Sequence, residues 1–116
     1  MYKAIGFIVL FWLCLTAPAQ ADGPDAQPEA LPSSVDAVVA ELVAGLSAED
    51  KQTLRSTPAE ELILYHHGWG TGIRNHYQLW GGNEALLRDA CGGELCHPDD
   101  ASMVIIERVW QALQTR

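Results

Sequence analysis

The segment His97-Pro98-Asp99-Asp100-Ala101-Ser102 places an imidazole, two carboxylates and a hydroxyl within six residues. General acid–base catalysis uses these groups, so one hypothesis is a small hydrolase or lyase in which His97 works with Asp99 or Asp100. The same residues suit a helix start, because proline is favoured in the first turn and acidic side chains are stabilised by the helix dipole there. Neither a nucleophile elbow nor a glycine-rich phosphate loop accompanies them. We therefore assign no catalytic residue.

The four histidines raise the hypothesis of a metal site. His66 and His76 are ten residues apart, which is about 15 Å along a helix at 1.5 Å per residue, too far for one ion. No H-E-x-x-H motif or pair of C-x-x-C motifs is present. We predict no metal ligand and no other cofactor, and keep a metal-binding protein using His67, His97, Cys91 and Cys96 as an alternative.

Arg74 and Asn75 lie within an otherwise apolar, glycine-containing segment. A fixed charge there must find a partner or reach water. An ion pair between Arg74 and Asp99 or Asp100 would tie two helices together. The alternative is that Arg74 recognises a carboxylate on a binding partner.

Trp80, which precedes Gly81-Gly82, is the aromatic residue that we expect to be partly exposed. Aromatic side chains supply many of the strongest contacts in interfaces. The predicted binding residues are therefore Arg74, Asn75, Trp80, His97, Asp99 and Asp100.

The N-terminus has the pattern of a cleavable export signal. Lys3 precedes a twelve-residue apolar run, Ala4–Leu15, and Ala19-Gln20-Ala21 offers a small-x-small cleavage site. The run is shorter than the roughly twenty residues needed to span a bilayer, and a retained N-terminal anchor is the alternative. We predict a signal peptide over residues 1–21, cleavage after Ala21, no stable membrane span afterwards, and a periplasmic or secreted protein.

Cleavage would leave 95 of the 116 residues and change the formal net charge from −8 to −9, because Lys3 is the only charged residue removed. Such an acidic chain repels phosphate backbones, which argues against nucleic acid as a partner. Cys91 and Cys96 would be the only remaining cysteines, and an even count in an exported protein predicts a disulfide between them.

The pattern of apolar residues predicts an all-α domain over residues 34–116, after a proline-rich, disordered leader at 22–33. Helix starts are predicted at Ser33 or Ser34, and at Ser47, Asn83 and Pro98. A fifth start, at Thr57-Pro58, would open a long central helix that continues to Trp80.

Three glycines interrupt the sequence of that central helix, each costing about 1 kcal/mol relative to alanine. A loop through this stretch is therefore the alternative to a continuous helix. We expect the helix, with Gly68 and Gly72 on one face where another helix approaches closely, and a kink near Gly70 as a variant of this arrangement. The predicted fold is a small bundle of about five helices around this glycine-rich central helix, with one short-loop disulfide.

The combination of residues 65–75, Leu79-Trp80, Asn83, Leu86-Leu87 and 97–102 resembles the domain-of-unknown-function family 6794, which consists of small bacterial domains. The resemblance covers about residues 35–115. It implies that residues 73–75 and 98–102 belong to the family pattern, and that the cysteine pair is particular to this chain. It brings no activity, substrate or site residue.

Small size, acidity, the export signal and the lack of a catalytic motif favour an interaction module over an enzyme. We predict that the domain binds a protein or a cell-envelope component. The surface that we expect to bind surrounds the glycine-rich helix and the helix start at Pro98.

Overall fold

The computed structural model describes residues 30–115, and this part of the chain is entirely helical and irregular, without a strand. The helices are α1 (Val35–Gly45), α2 (Ala48–Ser56), a 3-10 helix (Ala59–Tyr65), α3 (Trp69–His76), α4 (Glu84–Ala90) and α5 (Pro98–Gln114). The all-α prediction is confirmed. The predicted signal peptide, its cleavage site after Ala21 and residues 22–29 of the leader lie outside the described residues.

Four of the five predicted helix starts are observed, and in each a side chain caps the first turn. Ser34, Ser47 and Asn83 accept hydrogen bonds from the amides of residues 37, 50 and 86, at 3.2, 3.0 and 3.4 Å. His97 Nδ1 accepts from the Asp99 amide at 3.0 Å. These caps satisfy amides that have no partner within the helix, so they locate the starts from local sequence.

The central element is α5, and not the glycine-rich segment as predicted. Each of the other five helices packs against α5. With 17 residues it is the longest helix described, and the side chains that it buries are Ala101, Ser102, Ile105, Ile106, Val109 and Leu113. α3 has only eight residues, of which it buries Gly70, Ile73 and Arg74. The longer apolar stripe of α5 therefore organises the core.

The long helix predicted from Pro58 to Trp80 is wrong. Thr57 does not cap a helix that starts at Pro58: its hydroxyl donates to the Thr53 carbonyl at 2.9 Å and lies 3.0 Å from the Tyr65 hydroxyl. The chain instead forms the 3-10 helix, turns at residues 66–68, and restarts at Trp69. The Arg74 guanidinium donates to the His66 carbonyl oxygen at 3.1 Å. In a continuous helix this oxygen would accept from a backbone amide, so the guanidinium supplies its hydrogen-bond donor where the helix is interrupted.

The roles predicted for the glycines also change. Gly68 and Gly72 have open space where a Cβ would be, so neither permits the predicted close helix approach. Gly70 is the buried one, and a Cβ there would lie 3.0 Å from Arg74 Nη1 and 3.3 Å from the Tyr65 carbonyl oxygen. Gly70 therefore makes room for the Arg74 side chain.

α3 ends five residues before the predicted stop at Gly81-Gly82. Gln78 adopts a left-handed conformation with φ of 58°, and the Leu79 amide donates to the Arg74 carbonyl at 2.9 Å. This is a Schellman ending, in which glycine usually takes the left-handed position. Because residue 78 is glutamine, the sequence lacks the glycine that would predict the end of α3.

Part of the predicted disordered leader is packed on the domain. Leu31 contacts the hydrophobic core, and the Pro32 carbonyl accepts from Asn83 Nδ2 at 3.0 Å.

The predicted disulfide is confirmed: Cys91 is bonded to Cys96 in the loop that connects α4 to α5. No helix between residues 30 and 115 is both long and apolar enough to cross a membrane.

Candidate functional site

Arg74, on α3, is a buried cation with partners on three sides; its residue is only 5% exposed. Nη1 donates to Ser102 Oγ on α5 at 2.8 Å, and Nη2 donates to Thr71 Oγ1 at 2.9 Å and to the His66 carbonyl at 3.1 Å. Nε lies 3.4 Å from Asp99 Oδ1. The guanidinium therefore joins α3, the turn at residues 66–68 and the first turn of α5.

Asp99 connects the buried Arg74 guanidinium to the protein surface, because the Asp99 side chain is 42% exposed. Besides Arg74, two imidazoles face its carboxylate: Oδ2 lies 3.8 Å from His66 Nε2 and 3.6 Å from His97 Nδ1. His97 Nδ1 accepts the Asp99 amide, so a neutral His97 carries its proton on Nε2. The Asp99 carboxylate therefore contacts the buried Arg74 guanidinium and the imidazole rings of His66 and His97.

Further aromatic rings lie next to these groups, of which Trp80, His97 and His67 are exposed. The Trp80 ring stands edge-on to the His97 ring with centroids 5.5 Å apart, and Trp80 is 59% exposed. The His66 ring, which faces Asp99, has its centroid 4.9 Å from that of the His67 ring. We call Trp80, His97, Asp99, His66 and His67 the aromatic strip.

The structure brings together some of the predicted site residues and not others. Arg74 contacts Asp99, and Trp80 contacts His97. Asn75 and Asp100 are exposed, but within residues 30–115 no side-chain hydrogen bond or ion pair connects either of them to the strip.

Two parts of the site were not predicted from the sequence: Ser102 as the partner of Arg74, and His66 beside Asp99. A continuous helix would carry His66 eight residues, about 12 Å, from Arg74. The turn at residues 66–68 removes that separation. The glycines at 68, 70 and 72 were its local sequence signal, and the prediction assigned them to helix packing instead.

The catalytic and metal-binding alternatives gain no support from the geometry. The groups of the catalytic hypothesis already have structural partners, because His97 Nδ1 accepts from the Asp99 amide and the Asp99 carboxylate contacts Arg74. Ser102 is fully buried, and its hydroxyl accepts from Arg74 and donates to the Asp99 carbonyl at 2.9 Å. The two cysteines proposed as metal ligands are bonded to each other. Over residues 30–115, no three His, Cys, Asp or Glu side chains converge in a way that would hold a metal ion.

A family model described as a domain of unknown function, DUF6794, matches residues 31–113. The chain belongs to the DUF6794 family. The match begins at Leu31, the first of the described residues that contacts the core, and ends within α5, so the DUF6794 domain coincides with the helical domain. No curated protein and no solved structure matches the chain.

Proposed function

We propose that this DUF6794 protein is exported and acts as an interaction module, binding a protein or a component of the cell envelope through the aromatic strip. The observation that carries the proposal is the exposed tryptophan: Trp80 is 59% exposed beside an exposed His97 and the Asp99 carboxylate. Exposed aromatic residues grouped with polar ones are typical of interface hot spots.

The strip is also held in place before any partner binds. Asp99 is fixed by Arg74, and His97 is fixed by its cap to the Asp99 amide. Binding to such a surface costs little side-chain entropy, which favours affinity. A matching partner supplies an apolar side chain to Trp80 and a hydrogen-bond donor to Asp99.

Export is supported by the N-terminal sequence pattern together with the disulfide. Disulfides persist in oxidising compartments such as the bacterial periplasm or the extracellular space, and are rare in the cytosol. The test is to express the full chain, separate cytoplasmic, membrane and exported fractions, and determine the intact mass of the product. We expect a 95-residue chain that begins at Asp22, and a membrane-bound product that retains residues 1–21 would contradict the proposal.

Binding is tested with immobilised residues 22–116 and an extract of envelope proteins. Trp80→Ala is the informative variant because its side chain is exposed, whereas an Arg74 variant would disturb the fold. Leu64→Ala is the matched control, since Leu64 is 72% exposed and lies outside the strip.

A hot-spot residue contributes about 2 kcal/mol or more, so we expect Trp80→Ala to weaken the captured complex by about thirtyfold. Leu64→Ala is expected to leave it within about twofold of the unmodified chain. Equal binding by all three proteins would refute the strip as the contact surface.

A further inference from the structure

A pocket on the described domain shares no lining residue with the aromatic strip. It is a pocket of about 180 Å³ lined by Leu46, Asp50, Thr53, Leu54, Tyr65 and Trp69. These residues come from the end of α1, from α2, and from the two sides of the turn that separates the 3-10 helix from α3. Pockets for drug-sized ligands are about 300–1,000 Å³, so this one suits a single side chain.

Two aromatic rings in the lining stand nearly at right angles. The Tyr65 and Trp69 ring centroids are 6.1 Å apart with an interplanar angle of 84°. Two leucines, of which Leu54 is buried, supply aliphatic surface. Such a lining favours a ligand with an apolar stem, and the face of an aromatic ring also attracts a cation.

The polar groups of the lining indicate the sign of the ligand's charge. Asp50 is the only charged residue of the lining, and Thr53 adds one hydroxyl. The Tyr65 hydroxyl lies 3.0 Å from the Thr57 hydroxyl, so it already has a partner. A compact cation on an apolar stem matches one carboxylate beside aromatic and aliphatic walls.

We propose that this pocket binds the side chain of a lysine from a partner protein. The four-carbon stem would lie against the leucines and the rings, with the ammonium group at Asp50. Lysine fits better than arginine because a guanidinium presents five N–H donors, for which this lining has too few free acceptors. The net charge of −8 also favours a basic partner. The inference does not depend on the aromatic strip.

The test compares two small probes on residues 22–116. N-acetyl-lysine methylamide carries the ammonium group, and N-acetyl-norleucine methylamide has a similar stem without it. Binding is followed by NMR titration, using the ring resonances of Tyr65 and Trp69. We expect these resonances to shift and the lysine probe to bind about three- to thirtyfold more tightly, with the difference shrinking in high salt.

The matched variants are Asp50→Asn and Glu49→Gln. Both residues lie in the first turn of α2, so both variants lose the same favourable interaction with the helix dipole, but only Asp50 lines the pocket. Asp50→Asn is expected to weaken the lysine probe about two- to fivefold, and Glu49→Gln to leave its affinity unchanged.

Three outcomes would overturn the proposal. The norleucine probe binds as tightly as the lysine probe, the two variants weaken binding equally, or neither probe shifts the Tyr65 and Trp69 resonances. An arginine probe, N-acetyl-arginine methylamide, serves as a further arm, and tighter binding by arginine would overturn the assignment to lysine.

Discussion

Replacing Arg74 by alanine is expected to destabilise the domain far more than removing a surface charge. The guanidinium is buried and makes three hydrogen bonds, to Ser102, Thr71 and the His66 carbonyl, in addition to its contact with Asp99. Alanine would leave these partners without their donor and open a cavity next to Gly70. The contacts that fix the turn at residues 66–68 would be lost together.

The structure gives an order of magnitude for this loss. Breaking a buried charged network by removing one partner costs about 3–5 kcal/mol. The lower end applies because Asp99 is 42% exposed and water can replace its contact, while Ser102 keeps its bond to the Asp99 carbonyl. We therefore expect a loss of about 3 kcal/mol. A domain of this size loses about 4–8 °C in Tm per kcal/mol, so the Tm should fall by about 12–24 °C.

The assay is thermal and urea unfolding of residues 22–116 followed by circular dichroism, with the disulfide intact. Arg88→Ala is the matched control, because Arg88 forms an exposed i,i+4 pair with Glu84 at 3.1 Å and should contribute about 0.3–0.5 kcal/mol. Arg74→Lys should recover only part of the loss, since an ammonium group cannot reach the same partners at once. If Arg74→Ala costs no more than Arg88→Ala, the structural role of the buried guanidinium is refuted.

Three further predictions concern stability. Gly70→Ala should destabilise the domain by about 1 kcal/mol or more because its Cβ would lie 3.0 Å from a guanidinium nitrogen, whereas Gly72→Ala, with open space, should stabilise it by about 0.5–1 kcal/mol; urea unfolding measures both. Burial, and then the hydrogen bond to a carboxylate, raise the pKa of the Tyr77 phenol well above its ordinary value of 10.0. The protonated phenol is therefore favoured in the folded state. Its contribution to the free energy of unfolding should be fully present below pH 10 and decrease as the pH rises above 10. Tyr77→Phe should remove this contribution to the pH dependence of the free energy of unfolding. Reducing the Cys91–Cys96 disulfide should cost about 2 kcal/mol, the chain-entropy value for so short a loop, measured by unfolding with and without reductant.

Each of these predictions has an outcome that contradicts it. Equal effects of alanine at positions 70 and 72 would show that the close contact at Gly70 is unimportant. An identical slope above pH 10 with phenylalanine at position 77 would remove the phenol as its cause. Unchanged stability after reduction would mean that the loop between α4 and α5 is ordered without its crosslink.

The local elements could be predicted from the sequence because the signals that form them are local. A Ser or Asn side chain caps amides two or three residues away, so the starts of α1, α2 and α4 follow from neighbouring residues. Pro98 with two acids likewise predicts α5, and two cysteines five residues apart predict their disulfide. Among the predicted site residues, the pairing of Arg74 with either Asp99 or Asp100 also followed from a simple rule, that a charge in an apolar segment needs a partner, and the structure shows that the partner is Asp99.

Only the tertiary structure decided where the middle of the chain breaks and which helix is central. In the turn at residues 66–68, the His66 carbonyl accepts from the Arg74 guanidinium, which also donates to Ser102 on α5. This pair of contacts cannot be predicted from neighbouring residues, because Arg74 and Ser102 are 28 residues apart in the sequence. The free amides at a helix start find a cap side chain within one turn of the chain. A buried charge instead pairs with residues that only the folded structure places next to it. The local amino-acid sequence therefore determined the starts of α1, α2, α4 and α5, and packing against α5 determined the site.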